Sequence, residues 1–324
     1  MKSQHSFPKV ILDGELHSAD DIGLSLSSRL AMYGEGCFDT LRAYESGFLH
    51  PGAHLKRLQQ GMDYLGLEIP KELLTADAFL EMLHRYLQAN NAGGLQARLR
   101  VQVWADDDTA GYRPGNRSAR FLVTGFELGK PNTGSSTDVQ TESSPVDRIR
   151  ADTSTSVRSD RSRPGVRLIT SRYHRIPDTA LPAGVKWSNG INYILAAREA
   201  MEQGADDALM LTRDGFVSET TIANIFWKSG GNVYTPSEAC DLLPGITRHL
   251  LIDFLKELGI SVTQGRYTPE DFLQADTAWA CNSIREWYPI RQLDEHKLGH
   301  DALFWNEVTT YFEKRKNEEL HHVS

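Results

Sequence analysis

Lys186 stands at the end of Leu181-Pro-Ala-Gly-Val-Lys186, a small and apolar approach, and just before Trp-Ser-Asn189-Gly190. Partial desolvation of a lysine so placed lowers its pKa and frees a neutral amine that can attack a carbonyl carbon. Most lysines are solvated surface charges, so the position alone does not decide the matter. Glu219 lies in Val217-Ser-Glu219-Thr-Thr-Ile-Ala-Asn224-Ile-Phe-Trp227, a carboxylate in a segment that is otherwise apolar or small. An exposed strand edge accounts for it locally. Leu243-Pro-Gly-Ile-Thr-Arg248 puts Pro and Gly before a helix, so the first amides, those of Gly245, Ile246 and Thr247, are free to hold an anion. A plain helix start explains the same residues. Ser283, in Ala280-Cys-Asn-Ser283, follows a strand and can add a hydroxyl to that anion.

Two further segments lie in the first half of the chain. Arg57, in His54-Leu-Lys-Arg57-Leu, sits on an amphipathic helix from which a guanidinium can grip a phosphate bidentately. A solvated helix face is the locally favoured alternative. Tyr33-Gly-Glu-Gly36-Cys-Phe38-Asp-Thr-Leu-Arg42 contains Gly-x-Gly with no third glycine, so it is no dinucleotide fingerprint. Its glycines instead let backbone approach a ligand closely.

These residues need elements to hold them. Val10–Leu12 reads as a strand followed by a turn at Asp13-Gly14, and 53–65 as a helix with Leu55, Leu58, Met62 and Leu65 on one face and Gly66 as its stop. Leu99–Trp104 and Arg120–Thr124 read as strands, so this half is α+β rather than a run of βαβ units. Later come a strand at Val166–Ser171, a helix at Ile194–Gln203 closed by Gly204, and strands at Ala208–Thr212, Val217–Trp227 and Asn232–Thr235 separated by Asp214-Gly215 and Gly230-Gly231 turns. A meandering antiparallel sheet is expected there. A second helix at Ile246–Leu258 ends at Gly259, and Thr277–Cys281 is the last conspicuous strand.

The chain has 324 residues, enough for two ordinary domains. Between them, residues 130–165 are rich in Ser, Thr, Asp and Arg and poor in apolar residues; such a stretch reads as a flexible interdomain linker or insertion. The division expected is an N-terminal domain at 1–129, the linker at 130–165 and a C-terminal domain at 166–324. A formal net charge of −8 disfavours nucleic acid and anionic membranes as partners. Three scattered cysteines suggest neither disulfides nor a metal site, and no metal is expected. With no signal-like start and no run of about 18 apolar residues, a cytoplasmic enzyme acting on small molecules is expected. P-loop, His-Glu-x-x-His and Gly-x-Ser-x-Gly patterns are absent from the sequence.

In their order and spacing, Lys186-x-x-Asn189, Asp207-Ala-Leu209, Gly215-Phe-Val-Ser-Glu219, Asn224-Ile-Phe226, Thr235-Pro236, Leu243-Pro-Gly-Ile-Thr-Arg248 and Asn282-Ser283 make the chain resemble the class IV aminotransferases, the fold-type IV enzymes of pyridoxal 5'-phosphate (PLP). That family includes branched-chain aminotransferases, D-amino acid aminotransferases and 4-amino-4-deoxychorismate lyases. The resemblance implies a small N-terminal α/β domain and a larger β-rich, pseudo-barrel C-terminal domain, assembled as a homodimer. It implies Lys186 as the catalytic lysine that binds the cofactor, Glu219 as partner of the pyridine nitrogen, Arg57, Ile246, Thr247 and Ser283 as phosphate contacts, and Tyr33 and Phe38 on the substrate side. The activity implied is transamination between a branched-chain or D-type amino acid and a 2-oxo acid, with the lyase, releasing pyruvate and 4-aminobenzoate, as the alternative. The Lys186-x-x-Asn189 spacing resembles the D-amino acid and lyase branches, and Gly190 stands where branched-chain enzymes carry a tyrosine; Cys281-Asn-Ser283, Asn224-Ile-Phe-Trp227 and Gly111-Tyr-Arg-Pro114 resemble the lyase, whereas Ala105-Asp106 replaces the Arg-Gly pair usual in that branch.

Overall fold

The computed structural model describes residues 6–128 and 165–322. The described chain forms two compact units, and it visits the first of them three times: up to Leu128, again at Val185–Gly190, and from Glu319 onward. The segment carrying Lys186 therefore packs with the N-terminal unit, although the sequence division had placed it in the C-terminal half. The expected linker lies outside the described residues except for Gly165.

The first unit is built on strands β1 (Lys9–Leu12), β2 (Glu15–Ser18), β3 (Gly36–Tyr44), β4 (Gly47–Leu49), β5 (Ala97–Ala105) and β6 (Ala119–Glu127), with a C-terminal strand at Leu320–His322. Their spatial order is C-terminal strand, β4, β3, β5, β6, β1, β2, and every neighbouring pair is antiparallel. The β1–β2 turn is made by Asp13 and Gly14, both at positive φ, the geometry that suits the twist of a two-residue hairpin. Alternation along β5 sends Leu99, Val101 and Val103 into the core and turns Arg98, Arg100 and Gln102 to the other face. Helices α2 (Pro51–Leu65) and α3 (Ala76–Ala89) cover the core face with Leu55, Leu58, Met62, Phe79, Leu83 and Tyr86, and a short helix α1 (Arg29–Tyr33) leads into β3. Helix α2 begins at Pro51, where a missing N–H costs nothing, and stops at left-handed Gly66.

The second unit holds β7 (Val166–Thr170), β8 (Asp207–Leu211), β9 (Val217–Thr220), β10 (Asn224–Ser229), β11 (Asn232–Pro236), β12 (Val262–Gly265), β13 (Thr277–Asn282), β14 (Glu286–Leu293) and β15 (His296–Lys297), with helices α4 (Ile191–Glu202), α5 (Ile246–Glu257), α6 (Pro269–Leu273) and α7 (Ala302–Glu319). The pairing of Asn224 with Glu219 joins β10 to β9 and closes β10, β13, β14, β7, β8 and β9 into a barrel-like ring. This matches the expected β-rich domain, with two corrections. Pairs β7–β8, β7–β14 and β11–β12 are parallel, so the sheet is mixed rather than a simple meander. Parallel neighbours need long crossovers, and β7 reaches β8 by way of α4. The single strand expected at Val217–Trp227 is two strands, because Thr220 takes the amides of Ile222 and Ala223 onto its hydroxyl and folds the chain back.

Candidate active site

In the first unit, Lys186 is fixed through its backbone. Its carbonyl accepts the Phe38 amide at 2.9 Å, the Ser188 amide donates to the Gly36 carbonyl at 2.9 Å, and Cys37 forms a β-bridge with Trp187. The approach is close enough that a Cβ on Gly36 would lie 2.6 Å from the Val103 carbonyl oxygen and 3.0 Å from Ser188 Oγ. Gln102 ties the same corner, donating to the Cys37 carbonyl at 3.1 Å and to Ser188 Oγ at 2.6 Å. Lys186 Nζ lies 5.1 Å from the centre of the Phe38 ring, and the Arg100 guanidinium lies over the same ring at 3.5 Å, within reach of its π-electrons.

Arg57, projecting from α2, is gripped by Asp39 of β3, with Nε to Oδ2 at 2.8 Å and Nη2 to Oδ1 at 2.9 Å. His54, one turn earlier on the helix, joins Asp39 Oδ1 through Nδ1 at 2.9 Å. Burial opposes ionisation of Asp39, but Arg57 and His54 outweigh it and hold the carboxyl well below the usual range. Burial likewise pushes His54 down, opposed in part by Asp39. Tyr33 is placed at the end of α1, where its hydroxyl accepts the Gly111 amide at 2.7 Å and its ring meets Tyr112 and the Arg29 guanidinium. A cavity of about 500 Å³ in this unit, bordered by Leu24, Ser28, Leu30, Gln102, Trp104 and Asp106, includes neither Lys186 nor Tyr33.

The second unit carries Glu219 on β9, buried at 4% exposure. Its Oε1 accepts the Tyr193 hydroxyl at 3.2 Å and pairs with the Arg175 guanidinium, Nε also at 3.2 Å. Its Oε2 takes Asn224 Nδ2 at 3.0 Å and the Leu243 amide at 3.2 Å. Three hydrogen bonds and an ion pair supply what a carboxylate needs when it leaves water. Asn224 also donates to the Leu243 carbonyl at 2.9 Å, which fastens Glu219 to the approach to α5. That helix starts at Gly245 without a side-chain cap, so Ile246 and Thr247 offer first-turn amides that no preceding turn can satisfy. A Cβ on Gly245 would fall 2.1 Å from Asn224 Oδ1. Ser283 lies just beyond β13, in a turn where Asn282 Oδ1 accepts the amides of Ile284 and Arg285. Because Asn224 pairs with Cys281 in the sheet, this turn and the Glu219 carboxylate occupy the same end of the ring.

The family described as amino-transferase class IV matches residues 36–293. This chain belongs to the class IV aminotransferases. Aminodeoxychorismate lyase of Bacillus subtilis (strain 168) is 27% identical over 293 residues, spanning 90% of this chain and 89% of the relative. A putative branched-chain-amino-acid aminotransferase of Methanocaldococcus jannaschii is 28% identical over 292 residues, 90% of each chain. The solved branched-chain aminotransferase of the thermophilic archaeon Thermoproteus uzoniensis, with norvaline, shares the fold, with a TM-score of 0.80 at 25% identity, covering 97% of this chain and 96% of that one.

Within this class IV fold, the residues predicted from sequence fall into two sets, with Lys186, Arg57, Tyr33 and Phe38 in the first unit and Glu219, Ile246, Thr247 and Ser283 in the second. Sequence reasoning missed Asp39, His54, Arg175 and Tyr193, of which Asp39 holds Arg57 and His54, and Arg175 and Tyr193 contact Glu219. Of these, only His54 carried a local signal, at i, i+3 from Arg57 on one helix face. No described helix is long and apolar enough to cross a membrane.

Proposed function

We propose that this class IV aminotransferase uses PLP to move an amino group between an amino acid and a 2-oxo acid. The observation that carries this reading is the buried Glu219 carboxylate, held by three hydrogen bonds and an ion pair and tied through Asn224 to an uncapped helix N-terminus. A buried carboxylate suits a protonated pyridine nitrogen, and a glycine cap whose Cβ position is already taken by Asn224 leaves backbone amides bare for a phosphate. When bound, PLP supplies the electron sink that makes an amino acid Cα–H acidic.

In this reading Lys186 Nζ binds the cofactor and moves the proton from the donor's Cα. Glu219 holds the ring nitrogen; Arg57, the Ile246 and Thr247 amides and the Ser283 hydroxyl hold the phosphate. Tyr33 and Phe38 border the substrate. A cytoplasmic homodimer completes the proposal, supported by exposed apolar side chains at Leu24, Leu26 and Met32 around α1 and by the family resemblance.

The lyase is the second reading. The Bacillus subtilis relative and the Cys281-Asn-Ser283 and Gly111-Tyr-Arg-Pro114 segments favour it. The test is the visible spectrum of the purified holoenzyme on successive additions of L-leucine, L-glutamate and D-alanine. Bleaching to the pyridoxamine form by one of them supports transamination and names the donor's stereochemistry. A band that persists through all three turns the test to 4-amino-4-deoxychorismate, with release of pyruvate as the readout.

A further inference from the structure

We infer that Tyr193, locked by Arg175, is a positioning residue that sets how strongly Glu219 holds the proton of the cofactor's ring nitrogen. This rests on the reading of Glu219 given above. Neither Tyr193 nor Arg175 touches reacting atoms in that scheme, and both act through the carboxylate.

The geometry is a relay. Arg175 comes from the loop after β7 and Tyr193 from the first turn of α4, and both are in the second unit. Arg175 Nη1 donates to the Tyr193 hydroxyl oxygen, and its guanidinium lies over the Tyr193 ring at 4.7 Å from the centroid. Since a phenol has one proton and its oxygen already accepts from a cation, that proton is directed to Glu219 Oε1. Arg175 Nε also lies 3.2 Å from Oε1 as an ion pair, but its N–H donates to the Asp241 carbonyl at 2.8 Å. The guanidinium therefore does not make the two-pronged grip on Glu219 that Arg57 makes on Asp39. A bidentate cation would neutralise the carboxylate and leave it a poor partner for a second positive group. One single-point ion pair plus one phenol donor leaves Oε1 able to accept a ring N–H⁺ as well.

Removal of the phenol oxygen deletes one charge-assisted donor. The carboxylate becomes more basic, the shared proton moves from the ring towards Glu219, and the ring withdraws electrons less well. Tyr193→Phe keeps the ring that Arg175 covers, so packing is preserved. Deleting one hydrogen bond to a charged group predicts a kcat lower by about tenfold or somewhat more, with KM for the amino donor little changed.

The experiment uses holoenzyme reconstituted with PLP labelled with nitrogen-15 in the ring, read by NMR, alongside kcat and KM. Three forms are compared: the unsubstituted protein, Tyr193→Phe and Glu219→Gln. The expected result is that Glu219→Gln moves the ring-nitrogen signal fully towards the neutral form and Tyr193→Phe moves it part of the way. If Glu219→Gln shifts the signal and Tyr193→Phe leaves both signal and kcat unchanged, the role of Tyr193 is overturned while that of Glu219 stands. If Glu219→Gln leaves the signal in place, the reading of Glu219 falls and the relay with it. Should Tyr193→Phe not fold, Arg175→Lys carries the same test: it keeps a cation but loses the planar fork, and an unmoved signal there overturns the relay.

Discussion

Asp39 holds two nitrogen-bearing side chains at once, and its replacement by Asn separates charge from shape. Asp39→Asn keeps the volume but leaves Arg57 and His54 with buried donors facing a neutral amide. Breaking a buried pair from one side costs about 3–5 kcal/mol. Denaturant unfolding of the variant should show a loss of that order, and PLP should bind more weakly because Arg57 loses its fixed direction. The same cluster fixes a pH dependence. Asp39 is depressed in the fold, so its contribution is present above the ordinary Asp value of 3.8 and is lost as pH falls further. His54 is depressed too, so the unfolded chain binds a proton below 6.5 that the folded chain refuses. Both signs agree, in successive windows: unfolding free energy should decline below about pH 6.5 as the unfolded chain takes up the His54 proton, and again below about pH 3.8 as the Asp39 contribution is lost. A profile flat through both windows would show that the cluster does not govern acid stability. Lys186→Ala should abolish nearly all turnover, measured as amino transfer by the purified variant with added PLP, and undiminished turnover would refute Lys186 as the proton carrier. Lys186 and Glu219 were singled out by the order and spacing of the segments around them, since small and apolar neighbours alone did not separate them from a surface lysine and a strand edge. Asp39, Arg175 and Tyr193 were not, because their roles are created by partners distant in the chain.

Elements were legible where the signal is local. Helix α2 was read to within two residues, since its apolar spacing and Gly66 stop are written in the sequence. Helix α3 was overlooked although Phe79, Leu83, Tyr86 and Leu87 recur at helical spacing and Thr75 caps it, accepting the Ala78 amide. The break between β9 and β10 was invisible for a different reason: no Gly, Pro or Asn-Gly marks it, and the fold back is made by the Thr220 hydroxyl. That break matters, because it sets Glu219 opposite Asn224. The start of α5 belongs to this same scale. Gly245→Ala places a methyl 2.1 Å from Asn224 Oδ1, a terminal atom but one on a side chain held by Glu219 and the Leu243 carbonyl. Asn224 must then swing away from both. Overpacking of this kind costs about 1–3 kcal/mol. The larger effect expected is on ligand linkage: PLP should raise the melting temperature of the unsubstituted protein but barely move that of Gly245→Ala. Equal PLP-induced shifts in the two proteins would show that the glycine cap is not part of the phosphate site.

At the scale of the whole molecule, composition marked the 130–165 stretch but could not reveal that the chain re-enters its first unit. A return of six residues, Val185–Gly190, carries no compositional break. Contacts distant in sequence disclose it, among them the bridge between Cys37 and Trp187 and the bonds that join Lys186 and Ser188 to Phe38, Gly36 and Gln102. The C-terminal strand is equally silent in sequence, yet Leu320 pairs with Leu49 and closes one edge of the first sheet. A consequence is that residues 1–128 are not a self-sufficient domain. Without the two returning segments, the fragment loses the buried side chains of Val185, at 5% exposure, and Leu320, at 7%. It also loses the packing of Trp187 against its core. Burial contributes about 1.5–3 kcal/mol for each large apolar side chain, so the two alone account for roughly 3–6 kcal/mol. Domains of this size are stable by only about 5–15 kcal/mol. In addition β4 is left as an unpaired edge able to recruit other chains. Residues 1–128 produced alone should therefore show weak near-UV circular dichroism, no cooperative thermal transition and a tendency to aggregate. Adding residues 183–190 and 319–324 through flexible linkers should restore a cooperative transition. A sharp transition in the bare fragment, at the temperature of the intact chain, would mean that the returning segments decorate the first unit rather than complete it.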